Sequence, residues 1–376
     1  MTPRLPRYRT GDVELDRRIE ELVGLTGAAD ADLVFELVVS AVRLGLDRTP
    51  RGDLKIANAA LREMREAFDV FAPYRSARKA AIFGSARTER DDPLYAQTVQ
   101  IAQDLAQADW MVITGAGPGI MEAGIEGAGS ENSFGVGIRL PFEAATTQFL
   151  TGDPKLLNFR YFFTRKLSFV KESSGFVLLP GGFGTMDEAF ELLTLVQTGK
   201  APPAPIVLLD VPGGTYWSSW LHFVERELVG RHYISVDDLD LVRVTDSCAD
   251  ALDELTGFYA NYHSLRFVHG DLVIRVRNEL DDAAMESINT EFADIVVKGK
   301  IERSDATKPE ISDDDVPELP RLRFRFNRYS YARLRHLIDR VNGRTPHSVG
   351  PDPDAPPAAV TGEPPEELSP TPGPRD

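Results

Sequence analysis

The chain of 376 residues carries 42 Lys+Arg against 58 Asp+Glu, a formal net charge of −16. At about 100–200 residues per domain its length calls for two or three units, and a composition 42% apolar and 27% charged is that of a globular chain. One cysteine, Cys248, excludes an internal disulfide and a Cys-rich metal site, and the six histidines never fall into an HExxH pair, so no metal is expected. The acidic balance disfavours nucleic acid as a partner. No apolar run approaches the roughly 18 residues of a membrane crossing, and the N-terminal MTPRLPRYRTGDVELDRR lacks the apolar core of a secretory signal, so a cytoplasmic protein is expected.

Residues 1–75 read as helices, because apolar residues recur every three or four positions in ELDRRIEELVGL, ADLVFELVVSAVRLGL and LKIANAALREMREAFDVF. From Lys79 the pattern changes to short apolar runs, AAIFG, WMVITG, SFGVGIRL, GFVLLPGG and APIVLLD, alternating with amphipathic stretches. Strands apolar on both faces and separated by helices predict a parallel sheet covered on two sides, so residues 76–262 read as a doubly wound, Rossmann-like α/β domain. Residues 263–345 read as a small α+β appendage, opening on a hairpin around Gly270-Asp271 and closing on the helical YSYARLRHLIDRV. Within it, the acidic, Pro-punctuated segment 305–320 is expected to be an exposed loop, and the Pro-rich acidic tail 346–376 to be disordered.

Ligands of open α/β sheets bind beyond the carboxyl ends of the strands, and three of the five apolar runs end in glycine there. The first continues into Gly84-Ser85-Ala86-Arg87, the second into Gly115-Ala116-Gly117-Pro118-Gly119-Ile120-Met121-Glu122, and the fourth into Pro180-Gly181-Gly182-Phe183-Gly184-Thr185-Met186-Asp187-Glu188. Each is read as leading into a helix, whose free N–H groups and positive dipole end make an anion cradle. One glycine loop alone would be an ordinary tight turn; three on one sheet edge point to a phosphate. GxxxxGK[ST] is absent and the first loop lacks the dinucleotide fingerprint, so a nucleoside monophosphate is the economical ligand.

The nine residues PGGFGTMDE (180–188) resemble the PGGxGTxxE signature of the LOG family of cytokinin riboside 5′-monophosphate phosphoribohydrolases and bacterial nucleotide 5′-monophosphate nucleosidases. IFGSAR (82–87), TGAGPGIMEAG (114–124) and the pair Arg165-Lys166 support the match, which covers about residues 79–260. The resemblance implies hydrolysis of an N-glycosidic bond to free base and ribose 5-phosphate without a cofactor. It implies Arg165 and Glu188 as catalytic residues and Gly181, Gly182, Gly184 and Thr185 as holders of the phosphate. It also implies a homodimer or higher homo-oligomer.

Residue chemistry supports this reading. Cleavage of a ribosyl C–N bond develops oxocarbenium character, which a carboxylate stabilises while it orients or deprotonates water. Glu188, placed in the first turn of the helix after the loop, is the candidate; taken alone it would merely complement the helix dipole, as would Asp187. Arg165 offers a fixed cation to phosphate or ribose hydroxyls. Gly84 and Ser85 after the first strand, and Gly115, Gly117, Gly119 and Glu122 after the second, complete the nucleotide-binding candidates; a helix N-cap competes as the role of Ser85. Arg160 lies five residues before Arg165 and is expected to face differently. Lysine decarboxylation, a label such proteins often carry, needs an electron sink such as pyridoxal phosphate on a lysine, and Lys166, Lys171 and Lys200 sit in no recognisable setting for one. The competing reading is a non-catalytic nucleotide- or molybdenum-cofactor-binding protein on the same scaffold. In RLRFRFNR, Arg321, Arg323 and Arg325 alternate onto one face, which reads either as a strip paired with local acids or as a site for a regulatory nucleotide.

Overall fold

A computed structural model describes residues 8–139 and 152–346; all but the first residue of the expected tail lies outside the described residues. Seven strands form one wholly parallel sheet in the order β4-β3-β2-β1-β5-β6-β7. They are β1 (Lys79–Phe83), β2 (Met111–Thr114), β3 (Ser133–Ile138), β4 (Leu156–Phe159), β5 (Gly175–Leu178), β6 (Ile206–Leu209) and β7 (Arg243–Thr245). The expected doubly wound α/β fold is the observed one. The five apolar runs are β1, β2, β3, β5 and β6, and the expected fourth strand is therefore β5. The two strands that pattern reading missed, β4 and β7, are the edges of the sheet, short and without the double-sided burial that makes an apolar run.

Helices cover both faces. On one, α4 (Pro93–Gln107), α5 (Ile120–Ala128) and α9 (Cys248–Gly257) bury Ile101, Leu105, Ile120 and Leu255 against Val112, Val177 and Val207. On the other, α6 (Phe162–Glu172) and α7 (Phe183–Gln197) bury Phe169 and Leu192 against Ile113, Phe134 and Leu178. The N-terminal helices divide. α1 (Val13–Gly24) and α2 (Ala31–Leu46) bury Ile19, Val23, Phe35 and Val39 in a cluster of their own, whereas α3 (Arg51–Phe71) contributes Ala67 and Phe71 to the core beneath the sheet. α8 (Tyr216–Phe223) follows β6.

The appendage is an antiparallel sheet in the order β10-β11-β9-β8, built from β8 (Tyr262–Val268), β9 (Asp271–Val276), β10 (Val296–Ser304) and β11 (Arg321–Phe326), with α10 (Asp282–Glu291), α11 (Lys308–Ser312) and α12 (Tyr331–Val341). Its hairpin turns at His269-Gly270, both at positive φ (50° and 93°) as a two-residue type I′ turn requires, so Asp271 already pairs with Val268. Segment 305–320 departs from the expected exposed loop. It holds α11, and Glu310, fully buried, accepts hydrogen bonds from Arg275, Arg321 and Thr307. Of the two readings of the arginine strip, pairing with local acids is the one observed: Arg321 is buried against Glu310, while Arg323 and Arg325 share Asp271 at 2.5 and 2.8 Å. Among the described residues no helix is long and apolar enough to cross a membrane, and no group of three His, Cys, Asp or Glu side chains could hold a metal ion.

Candidate active site

The chain runs outward from β1 through β2, β3 and β4, then returns to the other side of β1 as β5, so the sheet order reverses between β1 and β5. The loops leaving those two strands part at such a switch point and open a crevice. A cavity of about 840 Å³ lies there. Gly84 and Ser85 from the first loop, Gly115 from the second, and Gly181, Gly182, Gly184 and Thr185 from the signature line it with Arg165 and Glu188. Gly117, Gly119 and Glu122 are not brought to it: Glu122 is held by Arg90 at 3.0 Å.

Backbone packing explains this division. Gly119 is the N-cap of α5 at φ 67°, and a Cβ there would lie 2.4 Å from the carbonyl oxygen of Ser85. The same oxygen accepts the N–H of Ile120 at 3.0 Å. The first N–H of α5 is thus spent on clamping the first loop. The Ser85 N–H in turn donates to the carbonyl of Pro180 at 3.2 Å, fixing the first loop on the signature. No helix begins at the first loop, since α4 starts at Pro93 with Asp92 as its cap; Ser85 is therefore no helix cap, and its Oγ accepts the N–H of Arg87 at 3.1 Å.

The signature behaves otherwise. Gly182 caps α7 without any side-chain hydrogen bond, and a Cβ added at Gly182 or Gly184 would meet no protein atom within 4 Å. The N–H groups of Phe183, Gly184 and Thr185 are the ones a helix start leaves without an intrahelical acceptor, and they belong to residues lining the cavity. Gly181 is required for a different reason: a Cβ there would lie 2.1 Å from Thr185 Oγ1. Its carbonyl accepts the Tyr216 hydroxyl of α8 at 2.5 Å. Asp210, buried after β6, accepts the N–H of Tyr216 at 3.0 Å and so seats that helix. Tyr216, Arg87, Met121, Phe162 and Phe183 also line the cavity and escaped sequence reading. Arg87, Met121 and Phe183 stand within the glycine-loop strings without being assigned there, whereas Tyr216 and Phe162 carried no positional signal.

Arg165 lies in α6. Its Nε donates to the Val136 carbonyl at 2.9 Å, its guanidinium lies 5.1 Å from the Phe169 ring centroid, and a Cβ on Gly115 would come within 2.6 Å of its Nη2. Gly115 is therefore the seat of the arginine. The N-terminal helices contribute here: buried Glu63 of α3 accepts the Arg160 N–H at 2.9 Å and the Thr164 hydroxyl at 2.6 Å, tying down the start of α6. Arg160 itself precedes the helix.

Glu188 falls in the second turn of α7, not the first, and the first turn holds no acid. Neither Glu188 nor Asp187 therefore serves the helix start. Glu188 is buried, with Lys166 Nζ 3.5 Å from Oε2. Burial raises its carboxyl above the usual carboxylate range, against the pull of Lys166 and then Arg165. Lys166 also meets Asp187 at 3.0 Å and Glu191 at 2.7 Å; burial weakens its charge, but the hydrogen bonds to Glu191 and Asp187 outweigh that and raise its pKa. Arg165 is lowered by burial and held up by Glu188. A fixed cation and a desolvated carboxylate thus face one cavity beside an uncapped helix start.

A doubly wound α/β protein with a cavity at its switch point, lined by glycine loops, an arginine and a buried glutamate, is the class this geometry defines. Residues 119–255 match the family described as "Possible lysine decarboxylase". A probable cytokinin riboside 5′-monophosphate phosphoribohydrolase of Oryza sativa subsp. japonica is 32% identical over 99 residues, 26% of this chain and 44% of that protein. A cytokinin riboside 5′-monophosphate phosphoribohydrolase of Arabidopsis thaliana is 40% identical over 62 residues, 16% of this chain and 28% of that protein. The matched segment is similar to proteins of the LOG family, as the signature implies, and the chain spans less than half the length of these relatives. Among solved structures, the molybdenum cofactor binding protein of Rippkaea orientalis is 18% identical, covering 47% of this chain and 94% of that one with a TM-score of 0.33.

Proposed function

We propose that this protein hydrolyses the N-glycosidic bond of a nucleoside 5′-monophosphate, releasing free base and ribose 5-phosphate. The observation that carries the reading is the convergence of Arg165 and Glu188 on the cavity bounded by the uncapped start of α7. The curated relatives bear the name of this activity. In this reading the phosphate sits at the N–H groups of Phe183, Gly184 and Thr185, where the helix dipole favours an anion. Ribose extends toward Glu188, whose carboxylate stabilises positive charge developing at the anomeric carbon and receives a proton from the attacking water. Arg165 fixes the sugar or phosphate through the guanidinium edge that Val136 leaves free.

Lysine decarboxylation is not supported. Lys166, the lysine nearest the cavity, is held as a cation among three carboxylates, the opposite of the neutral amine that a Schiff base needs. A homo-oligomer belongs to the same proposal: Phe162 and Phe183 stand exposed at the cavity, an apolar surface suited to burial between copies.

The test is a panel of AMP, GMP, CMP, UMP and a cytokinin ribotide, with base release read by chromatography. Wild type releases base from at least one. Glu188→Gln loses at least about a hundredfold in kcat, the scale of a general base, while binding ribose 5-phosphate as before. A wild type that binds monophosphates and releases no base is instead the binding protein of the competing reading.

A further inference from the structure

The cavity holds two cations and two acids, and three of the four are already committed. Arg165 is bound to the Val136 carbonyl and stacked toward Phe169, with its charge set against Glu188. Asp187 and Glu188 share Lys166. Arg87 is different. It is exposed, lines the cavity, and its guanidinium makes no ion pair among the described residues. The turn that carries it is fixed: its own N–H donates to Ser85 Oγ at 3.1 Å, and the Ser85 N–H donates to Pro180 at the head of the signature loop. An added Cβ on Gly181 would lie 3.0 Å from the nitrogen of Ser85, so the two loops are in contact. The arginine therefore leaves a rigid turn two residues from the loop that precedes the start of α7.

A phosphate monoester carries close to two negative charges at neutral pH, and backbone N–H groups with a helix dipole neutralise only part of that. An arginine fork supplies the remainder through paired, charge-assisted hydrogen bonds. We propose that Arg87 is the cation that recognises the phosphate, so that the site takes phosphorylated ribosyl compounds in preference to unphosphorylated ones. The proposal rests on the reading of the cavity as a phosphate site and adds to it the residue that sets this discrimination.

Titration calorimetry of the full chain with ribose 5-phosphate and with ribose, alongside turnover of AMP and adenosine, decides it. Arg87→Ala weakens ribose 5-phosphate binding by about 10- to 100-fold, leaves ribose unaffected, and raises KM for the monophosphate more than it lowers kcat. Arg87→Lys restores part of the affinity, since the charge returns without the fork. The wild-type affinity falls with added salt more steeply than that of Arg87→Ala, a difference that a merely structural side chain does not produce. Equal affinity and equal salt dependence in wild type and Arg87→Ala overturn the assignment. The underlying reading fails separately: a wild type that binds ribose 5-phosphate through Arg87 yet releases no base from any monophosphate sinks the hydrolase and keeps the arginine.

Discussion

Lys166 governs how the buried carboxylate titrates. It approaches Glu188 to 3.5 Å, and of the two cations that oppose the burial penalty on that carboxyl it is the stronger. A general base must be ionised, so turnover declines as pH falls through the pKa of Glu188, which burial has raised. Replacing Lys166 with methionine removes the stronger opposition and leaves Arg165 alone against burial, Glu191 and Asp187. The acidic limb of the kcat/KM profile then moves to higher pH by about one unit or more, the scale set by a near charge. Lys166→Arg keeps the limb near its wild-type position. A limb that stays in place in Lys166→Met would separate Glu188 from the titration that controls rate.

At the scale of elements, the glycines divide between two tasks that a sequence string does not distinguish. Gly182 and Gly184 border open space, whereas Gly119 is there because backbone passes over it and because its φ is 67°. Gly119→Ala places a Cβ 2.4 Å from the Ser85 oxygen in a conformation that L residues adopt at a cost, so the first loop must shift. We expect a loss of roughly 1–3 kcal/mol in urea unfolding and a fall in turnover, although Gly119 does not line the cavity. Unchanged stability would mean the loop yields without strain. The same contrast shows what was legible beforehand. Apolar runs and glycine loops located the central strands and the sheet edge, because double-sided burial and close backbone approach restrict residue type strongly. Signature and arginine located Glu188 and Arg165 by resemblance. The turn of α7 on which Glu188 falls, the clamping of the second loop and the roles of Tyr216 and Glu63 depend on which atoms meet across elements distant in sequence, and no local pattern encodes that. The arginine strip was legible as a face paired with acids but its partners were not: alternation places side chains on faces, whereas Glu310 and Asp271, which take up those charges, come from other elements.

Across the whole molecule, the parallel sheet and the antiparallel sheet are joined by α12 through a buried ionic contact. Arg335 on α12 pairs with Glu254 of α9 and with Asp339 on its own helix, and its guanidinium lies 4.6 Å from the ring centroid of Phe258. All three charged side chains are nearly inaccessible. Burial pushes both carboxyls up, with Arg335 the largest opposing influence on each. Removing one partner of such a group strands charge in the interior, which costs about 3–5 kcal/mol. Arg335→Ala leaves two carboxylates facing that fate, with Arg344 beside both and His336 beside Asp339 as the remaining opposition, so their pKa values in the folded state rise further. The folded variant then binds more protons than the unfolded chain, and its stability falls as pH rises through and above the ordinary carboxylate range. The deficit relative to wild type is therefore greatest at neutral pH and shrinks on acidification toward pH 5. The three tryptophans, Trp110, Trp217 and Trp220, all belong to the parallel-sheet unit, so their fluorescence reports that unit alone, while far-UV circular dichroism reports both. With the contact intact the two signals change together on heating; in Arg335→Ala the dichroism falls first, as the antiparallel sheet and α12 melt away from a parallel sheet that remains folded. Coincident transitions in the variant, at any pH, would show that the apolar contacts of α12 suffice to couple the two sheets.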